Sequence, residues 1–309
     1  MATATATSRK VAAVAPSSSL RRLAGSLLAG CLTLGCGQET PADTGDAWAQ
    51  RTGSPERVIV IGPSSAETLA WLGLAESVVG VSDYCADPAL EGRPRVGGQL
   101  DPNLERMAAL DPDLLIIQGA HPQVEAWCRR EQIPLLAWKT QSLAAWREEV
   151  RRYGELFACS DRVEEQLADW DRAFAAASAP ATEAAPPQVL IVASRDPERI
   201  TRVLAAGRGS FLGELLEHAG ARSLFAEHER DYFDLAEEAL LQLRPDLILE
   251  LGGSGTDAER LALWRAAFAE LPAVKNDAVY GLTEDFVFLP GPRMLETLQL
   301  LREKLALQR

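Results

Sequence analysis

Residues 103–117 read N-L-E-R-M-A-A-L-D-P-D-L-L-I-I and residues 236–250 read A-E-E-A-L-L-Q-L-R-P-D-L-I-L-E, so one unit occurs twice, about 130 positions apart. In each copy a glutamate, Glu105 or Glu238, stands seven residues before a Pro-Asp pair, Pro112-Asp113 or Pro245-Asp246. Between them runs a short amphipathic helix carrying Leu104, Met107, Ala108 and Leu110 in the first copy and Ala239, Leu240, Leu241 and Leu243 in the second. The proline stops the helix and pushes the residue before it out of the α region. The apolar run that follows, Leu114-Leu115-Ile116-Ile117 or Leu247-Ile248-Leu249, suits a strand buried on both faces. A helix–Pro-Asp–strand unit in two places predicts two similar α/β lobes.

Length and charge narrow the partners. A chain of 309 residues has room for two domains. Its formal net charge is −13, and the first 35 residues hold Arg9, Lys10, Arg21 and Arg22 with no acid. The remainder therefore carries 27 basic and 44 acidic residues, a net −17. That balance argues against a nucleic-acid or anionic-membrane surface, either of which needs a basic stripe.

The N-terminus reads as an export signal. Arg21-Arg22 precedes an apolar stretch over 23–35 that ends at Cys36, the pattern of a charged n-region, an h-region and a small residue before the cut. A cysteine directly after glycine resembles the lipobox of bacterial lipoproteins, whose cysteine is lipidated. Leu28-Ala29-Gly30-Cys31 is the better tetrapeptide but leaves about eight apolar residues before it. Thr33-Leu34-Gly35-Cys36 has the better h-region and a polar sequel, so Cys36 is taken as the lipidation site with Cys31 as the alternative. Residues 1–36 are then signal peptide with lipobox, and the polar, Pro- and Gly-bearing residues 37–55 a flexible tether. Cys85, Cys128 and Cys159 remain; export permits a disulfide, at most one pair can form, and spacing does not choose it.

The rest of the chain alternates strands and helices, which implies mainly parallel sheets. A strand at 57–61, a helix through 67–72 with Ser64-Ser65 as its N-cap and Gly73 as its stop, a strand at 78–81, the first repeat unit, a helix over 122–131 and a strand at 135–138 make a first lobe over 56–140. From 143 to about 177 the pattern is helical, with Gly154 and Cys159-Ser160 as weak points, and is expected to form one long helix (141–180) linking the lobes. After a Pro/Ala-rich loop, a second lobe over 187–309 holds strands at 189–192 and 201–204, a helix over 211–219 ended by Gly220, the second repeat unit, a helix over 257–271, a strand at 278–280 and a last helix over 292–307.

Several stretches in order resemble a known family. Glu67-Thr68-Leu69-Ala70-Trp71-Leu72-Gly73-Leu74, Val78-Val79-Gly80-Val81-Ser82-Asp83-Tyr84-Cys85, Pro94-Arg95-Val96-Gly97-Gly98, Asn103-Leu104-Glu105, Gly209-Ser210-Phe211-Leu212-Gly213-Glu214-Leu215-Leu216 and Pro290-Gly291-Pro292-Arg293 resemble the periplasmic solute-binding proteins for cobalamin, haem and ferric siderophores that feed ABC importers, most of all the vitamin B12-binding branch. The resemblance covers nearly all of residues 56–307. It implies two Rossmann-like α/β lobes, a helical spine that limits hinge motion, and a ligand cleft between the lobes. It also implies a monomeric, lipid-anchored receptor facing the periplasm or cell exterior, with an ABC permease and its ATPase as partners and no cofactor of its own. The family's one docking glutamate per lobe falls on Glu105 and Glu238. Two carboxylates fixed on a rigid acidic body suit orientation and charge steering.

A large, flat, partly apolar ligand calls for aromatic residues on loops. The resemblance places Tyr84, Tyr232 and the Asp285-Phe286 pair at ligand positions, and puts Gln118 where the B12 branch can have an aromatic residue. No Trp stands near Gly98-Gln99, a departure from that branch. His121, at a strand end, is a candidate axial imidazole for a metal-centred ligand, and Arg195 and Arg208 are candidate partners for ligand carboxylates or phosphates. Trp71, Trp146, Trp170 and Trp264 lie in helical patterns and are expected in the core.

Catalysis is not expected. Gly252-Gly253-Ser254-Gly255 lacks the lysine and spacing of a phosphate loop, and neither H-E-x-x-H nor G-x-S-x-G occurs. The sequence thus reads as a corrinoid-binding lipoprotein of an ABC importer, with haem or a ferric siderophore as the alternative ligand and an accessory lipoprotein without small-ligand transport as the alternative of another class.

Overall fold

The two Pro-Asp units occupy corresponding places in two sheets. The structure, a computed structural model, describes residues 53–180 and 185–307, which fall within one compact unit spanning residues 40–309. The signal peptide, Cys31, Cys36 and the tether up to residue 52 lie outside the described residues.

The first sheet contains β1 (Val58–Ile61), β2 (Val78–Val81), β3 (Leu114–Gln118) and β4 (Leu135–Trp138) in the order β2-β1-β3-β4, every pair parallel. Helices α1 (Pro63–Trp71), α2 (Leu104–Ala109) and α3 (Pro122–Glu131) complete this lobe. β1 and most of β3 are buried throughout, as their unbroken apolar runs require. One local expectation is corrected at α1. The helix starts at Pro63, whose fixed φ suits the first helical position, and Gly62 (φ 144°) is the cap. Ser64 and Ser65 are therefore inside the first turn, and both are buried.

The segment over 141–180 is helical but not one helix. It folds into α4 (Leu143–Leu156) and α5 (Ser160–Ala177), antiparallel and joined by Arg147–Asp171 (2.5 Å) and Arg151–Glu164 (2.7 Å). Ala158 takes a left-handed φ of 51°, and a Cβ on Gly154 would lie 3.2 Å from the Ser160 Cα, so glycine there lets the turn close. α5, 18 residues long, is the link to the second lobe.

That lobe contains β5 (Gln188–Ser194), β6 (Val203–Ala206), β7 (Arg222–Ser223), β8 (Tyr232–Leu235), β9 (Leu247–Leu251) and β10 (Val279–Leu282), with helices α6 (Phe211–Ala219), α7 (Glu237–Leu240), α8 (Asp257–Phe268), α9 (Pro272–Lys275) and α10 (Met294–Leu307). The order is β10-β9-β5-β6-β8 with β7 beside β5. β10, β9, β5 and β7 pair in parallel, whereas β6 pairs antiparallel with β5 and β8, so this sheet is mixed.

The repeat is structural as well as textual. Asp113 Oδ1 and Oδ2 accept from the backbone N–H groups of Arg57 (3.1 Å) and Glu56 (2.9 Å), at the entry to β1. Asp246 Oδ2 accepts from the N–H of Gln188 (2.8 Å), at the entry to β5. Each Pro-Asp pair thus clips the start of its own lobe's neighbouring strand, and the pairs Val58–Leu114 and Val189–Leu247 set equivalent registers.

The lobes share one apolar core. A single cluster of buried side chains runs from Val58, Val60 and Leu69 through α4 and α5 to β5, β9 and α10, while Ile59, Ile61, Met107, Ile117 and Trp127 form a second cluster on the other face of the first sheet. Along the seam, Trp71, Trp146, Trp170, Phe174 and His218 form a ladder with centroid spacings of 5.6, 4.7, 4.8 and 4.9 Å. Such ring pairs contribute about 0.5–1.5 kcal/mol each beyond their burial, which stiffens the junction.

Candidate ligand cleft

A cavity of about 610 Å³ opens between the lobes, lined from the first by Pro63, Glu67, Tyr84, Ala86, Asp87 and Pro88 and from the second by Asp285, Phe288, Leu289 and Arg293. It sits beyond the C-terminal ends of β1, β2 and β10, where open parallel sheets place ligands. Tyr84, on the loop after β2, is 75 % exposed, so a large aromatic ring stands in solvent at the cavity wall. Phe288 closes the second-lobe side. A Cβ on Gly252, itself at φ 63°, would lie 2.8 Å from the Phe288 Cζ, so glycine is required for this ring to lie where it does.

The floor is the seam where the loop Pro290-Gly291-Pro292-Arg293 rests on α1. The Ser64 hydroxyl donates to the Pro290 carbonyl, and the Trp170 indole Nε1 donates to the Pro292 carbonyl at 2.7 Å. Arg293 Nε lies 3.6 Å from Glu67 Oε1, so an ion pair crosses from lobe to lobe. The same guanidinium reaches Glu296 (3.2 Å) and Asp285 (3.4 Å) and lies 4.3 Å over the Phe286 ring. Glu67 is 6 % exposed, and its Oε2 is buried without a hydrogen-bond partner. Burial raises its carboxyl to about 7; Arg293 opposes this, while Asp87, Glu296 and Asp285 add to it.

Behind Phe288 a second cavity of about 390 Å³ lies at the ends of β5 and β9, lined by Ser194, Arg195, Glu250, Gly253, Ser254 and Arg260 among others. Arg195 pairs with Glu250 through two hydrogen bonds (2.6 and 2.9 Å) and donates to the carbonyls of Asp196 and Pro197. Arg260 donates to the carbonyls of Gly252, Gly253 and Gly255, and Trp264 Nε1 donates to Glu250 Oε1 (2.6 Å). Arg195 is thus held by the protein's own carboxylate, Glu250, at the wall of this second cavity. The network fixes the glycine-rich turn against which Phe288 packs.

Of the residues expected at the ligand, the structure brings Tyr84 and Asp285 into the 610 Å³ cavity. Phe286 does not line it. In a 3₁₀ turn residues three apart share a face, so Asp285 faces the cavity with Phe288 while Phe286 packs against the core beneath Arg293. Tyr232, on β8 at the far edge of the second sheet, also lies outside it. Its ring packs on the core, its hydroxyl lies against Ser210, and burial, with Asp231 adding, pushes it up to about 12. Gln118 ends β3 with its side chain against Gly62, and its carbonyl accepts from Gln99 Nε2 (3.5 Å). His121 is half-buried as the cap residue of α3, its backbone N–H donating to Glu125, and it is not among the cavity's lining residues. Arg208 lines a separate pocket beside α6 with Gln141, Glu214 and Glu217. Sequence reasoning missed Glu67, Asp87, Phe288 and Arg293 as lining residues. Glu67 carried no signal, since Ala66 and Leu69 lie on another face of α1 and its own face neighbours are Pro63, Ser64, Ala70 and Trp71.

Glu105 and Glu238 occupy the first turns of α2 and α7, equivalent points of the repeat, and both are exposed. Neither enters an ion pair among the described residues. A groove of about 660 Å³ beside Glu105, lined by Arg57, Asp113, Trp127 and Arg130, is larger than the cleft but lies wholly on the first lobe. Its arginines are engaged by the Leu110 and Asp111 carbonyls and by Glu131, so it is read as surface around Glu105. Cys85, Cys128 and Cys159 are all free.

Residues 58–286 match the family described as "Periplasmic binding protein". The chain is 23% identical over 306 residues to the uncharacterized ABC transporter substrate-binding lipoprotein YvrC of Bacillus subtilis (strain 168), covering 90% of this chain and 94% of the relative. It is 26% identical over 251 residues to the vitamin B12-binding protein of Vibrio cholerae serotype O1, covering 79% and 87%. Among solved structures, the periplasmic heme-binding protein BhuT in complex with two hemes superposes with a TM-score of 0.69 at 28% identity, covering 83% of this chain and 99% of that one.

Proposed function

Because this chain belongs to the periplasmic binding protein family, we propose that it is the substrate-binding lipoprotein of an ABC importer, and that it captures a corrinoid and delivers it to the membrane permease. In this reading Cys36 carries the lipid, residues 37–55 tether a monomeric receptor to the membrane, and Glu105 and Glu238 dock on basic residues of the permease, whose ATPase drives import. The observation that carries the choice of ligand is the cavity's chemistry. Its wall is largely apolar, with Tyr84 and Phe288 as aromatic faces, and its charges are Glu67, Asp87 and Asp285 against Arg293 alone. A corrinoid presents a broad apolar ring edged with neutral amides, which such a lining accepts. Haem propionates would add two negative charges beside three carboxylates, opposed by one guanidinium already shared among acids. Relatives named for vitamin B12 binding support the same reading.

Haem is the second reading, favoured by the exposed Tyr84 phenol, an oxygen ligand available to ferric iron; a neutral or cationic ferric siderophore also suits the acidic wall. The test is calorimetric titration of the soluble receptor, beginning after the tether, with cyanocobalamin, haemin and ferric siderophores. Saturable one-to-one cyanocobalamin binding, weakened about tenfold by Tyr84→Ala as the loss of one stacked aromatic implies, supports the corrinoid. Haemin binding alone overturns it. No ligand heat at all would favour an accessory lipoprotein that keeps the fold.

A further inference from the structure

Glu67 is the most buried carboxylate of the cavity wall and the least well compensated. Of its two oxygens, Oε1 lies 3.6 Å from Arg293 and Oε2 has no partner. Arg293 is divided among Glu67, Asp285, Glu296 and the face of Phe286. The groups that face Glu67 are one cation, Arg293, and three acids, Asp87, Asp285 and Glu296. Its own helix, Pro63–Trp71, supplies no other charged side chain. A ligand that fills the cavity removes the remaining water from this wall and adds no counter-charge if it is neutral, so the ionised form loses further ground.

We propose that Glu67 is a specificity-determining residue of the cleft: its carboxylate takes up one proton from solvent as a neutral ligand binds, and the neutral carboxyl donates to a carbonyl oxygen of that ligand through Oε1, Oε2 being enclosed in the seam beside Gly291. Only the assignment of this cavity as the ligand site is borrowed from the proposed function. Burial already raises the carboxyl to about 7, so little work is needed to complete the protonation. Because binding takes up a proton, affinity is highest below pH 7 and falls as pH rises through it, at most tenfold per pH unit. An anionic ligand meets the opposite situation. It competes for Arg293 and gains from neither form of Glu67, so the residue selects amide-bearing over carboxylate-bearing ligands.

Two measurements test this. With glutamate labelled at 13Cδ, one carboxyl signal of the empty receptor should titrate near pH 7 and vanish in Glu67→Gln. Calorimetry with cyanocobalamin at about pH 7.5, in phosphate and in Tris, should give heats that differ by the uptake of up to one proton; Glu67→Gln should bind with equal heats and an affinity flat with pH. A Glu67 signal titrating in the ordinary carboxylate range, about 4.3, overturns the inference whether or not cyanocobalamin binds. So do equal heats for the unmodified receptor, or an undiminished difference in Glu67→Gln. A midpoint near 7 without any cyanocobalamin heat keeps the proton site, discards the neutral ligand, and separates this failure from that of the corrinoid reading.

Discussion

Glu149 offers a direct measure of how α1, the helix that carries Glu67 into the cleft, is held in place. Its carboxyl is fully buried, and among the described residues no cation pairs with it. Oε1 accepts from the Ser65 hydroxyl and the Tyr153 hydroxyl, and Oε2 accepts from the Thr140 hydroxyl, each at 2.6 Å. Ser65 belongs to α1, Thr140 to the loop after β4, and Tyr153 to α4, so one side chain joins three elements. Replacing Glu149 by Leu leaves three buried hydroxyls without their acceptor, at about 1–3 kcal/mol each before any re-pairing among themselves. Removal of a buried, unpaired carboxyl offsets part of that, so a net loss of about 3 kcal/mol is expected, or roughly 6–12 °C in Tm for a domain of this size.

Glu149→Gln keeps an acceptor oxygen, and its amide can donate to the Thr140 hydroxyl, so it should stay within about 1 kcal/mol of the unmodified protein. The pH dependence separates charge from shape. Burial raises the folded pKa of Glu149 above its unfolded value, while the three hydroxyl bonds lower it. The folded state therefore binds the proton more tightly than the unfolded chain. Stability contributed by this group is present below about pH 4.3, the unfolded value, and declines as pH rises towards the raised folded pKa. Urea unfolding at acid and at mildly alkaline pH should show Glu149→Gln gaining on the unmodified protein as pH rises. Equal stability of the Leu and Gln variants would refute the claim that the three hydroxyls depend on this acceptor.

Gly252→Ala should lower Tm by about 2–4 °C, because alanine at φ 63° costs about 1 kcal/mol. It should weaken cyanocobalamin binding measured by calorimetry, because the new Cβ displaces the Phe288 ring into the cavity; unchanged affinity would mean that Phe288 is not part of the ligand wall. Glu105→Arg with Glu238→Arg should abolish uptake into vesicles containing the permease while leaving Tm and ligand affinity unchanged, since both side chains are exposed.

What could be read from the chain follows from how local its determinants are. The two Pro-Asp units declared themselves because the proline, the aspartate and the apolar strand lie within a few residues of each other, and in the structure both aspartates accept from backbone N–H groups at the entries to β1 and β5. The break between α4 and α5 was visible only as weak points at Gly154 and Cys159, because its cause is the contact of α4 with α5 across the turn. The antiparallel strand β6 was hidden for the same reason, since pairing direction is set by neighbours. At the cleft, Asp285-Phe286 suggested a pair, but a 3₁₀ turn brings Phe288 round to the aspartate's face. Glu67 looked like an ordinary helix acid until the Pro-Gly-Pro-Arg loop, more than two hundred residues away, was laid across it.

The seam between the lobes argues that recognition here works with little opening. The junction is an aromatic ladder from Trp71 to His218 packed in a core common to both lobes, and Lys139–Asp231 (3.4 Å) adds a second tie far from the loop over α1. Separating the lobes widely would expose Trp146 and Trp170, which are 0 % and 6 % exposed, and burial of a large side chain is worth about 1.5–3 kcal/mol. Such a hinge has too stiff a junction to signal occupancy by a wide swing. On the proposed function, occupancy would be felt by what lies at the seam itself: the Tyr84 and Phe288 rings that frame the cavity, and the Glu67–Arg293 pair that crosses from lobe to lobe. On the docking roles proposed for Glu105 and Glu238, a rigid body presents the same docking points full or empty, so discrimination by the permease between loaded and unloaded receptor would have to read the cleft mouth, where Tyr84 stands exposed.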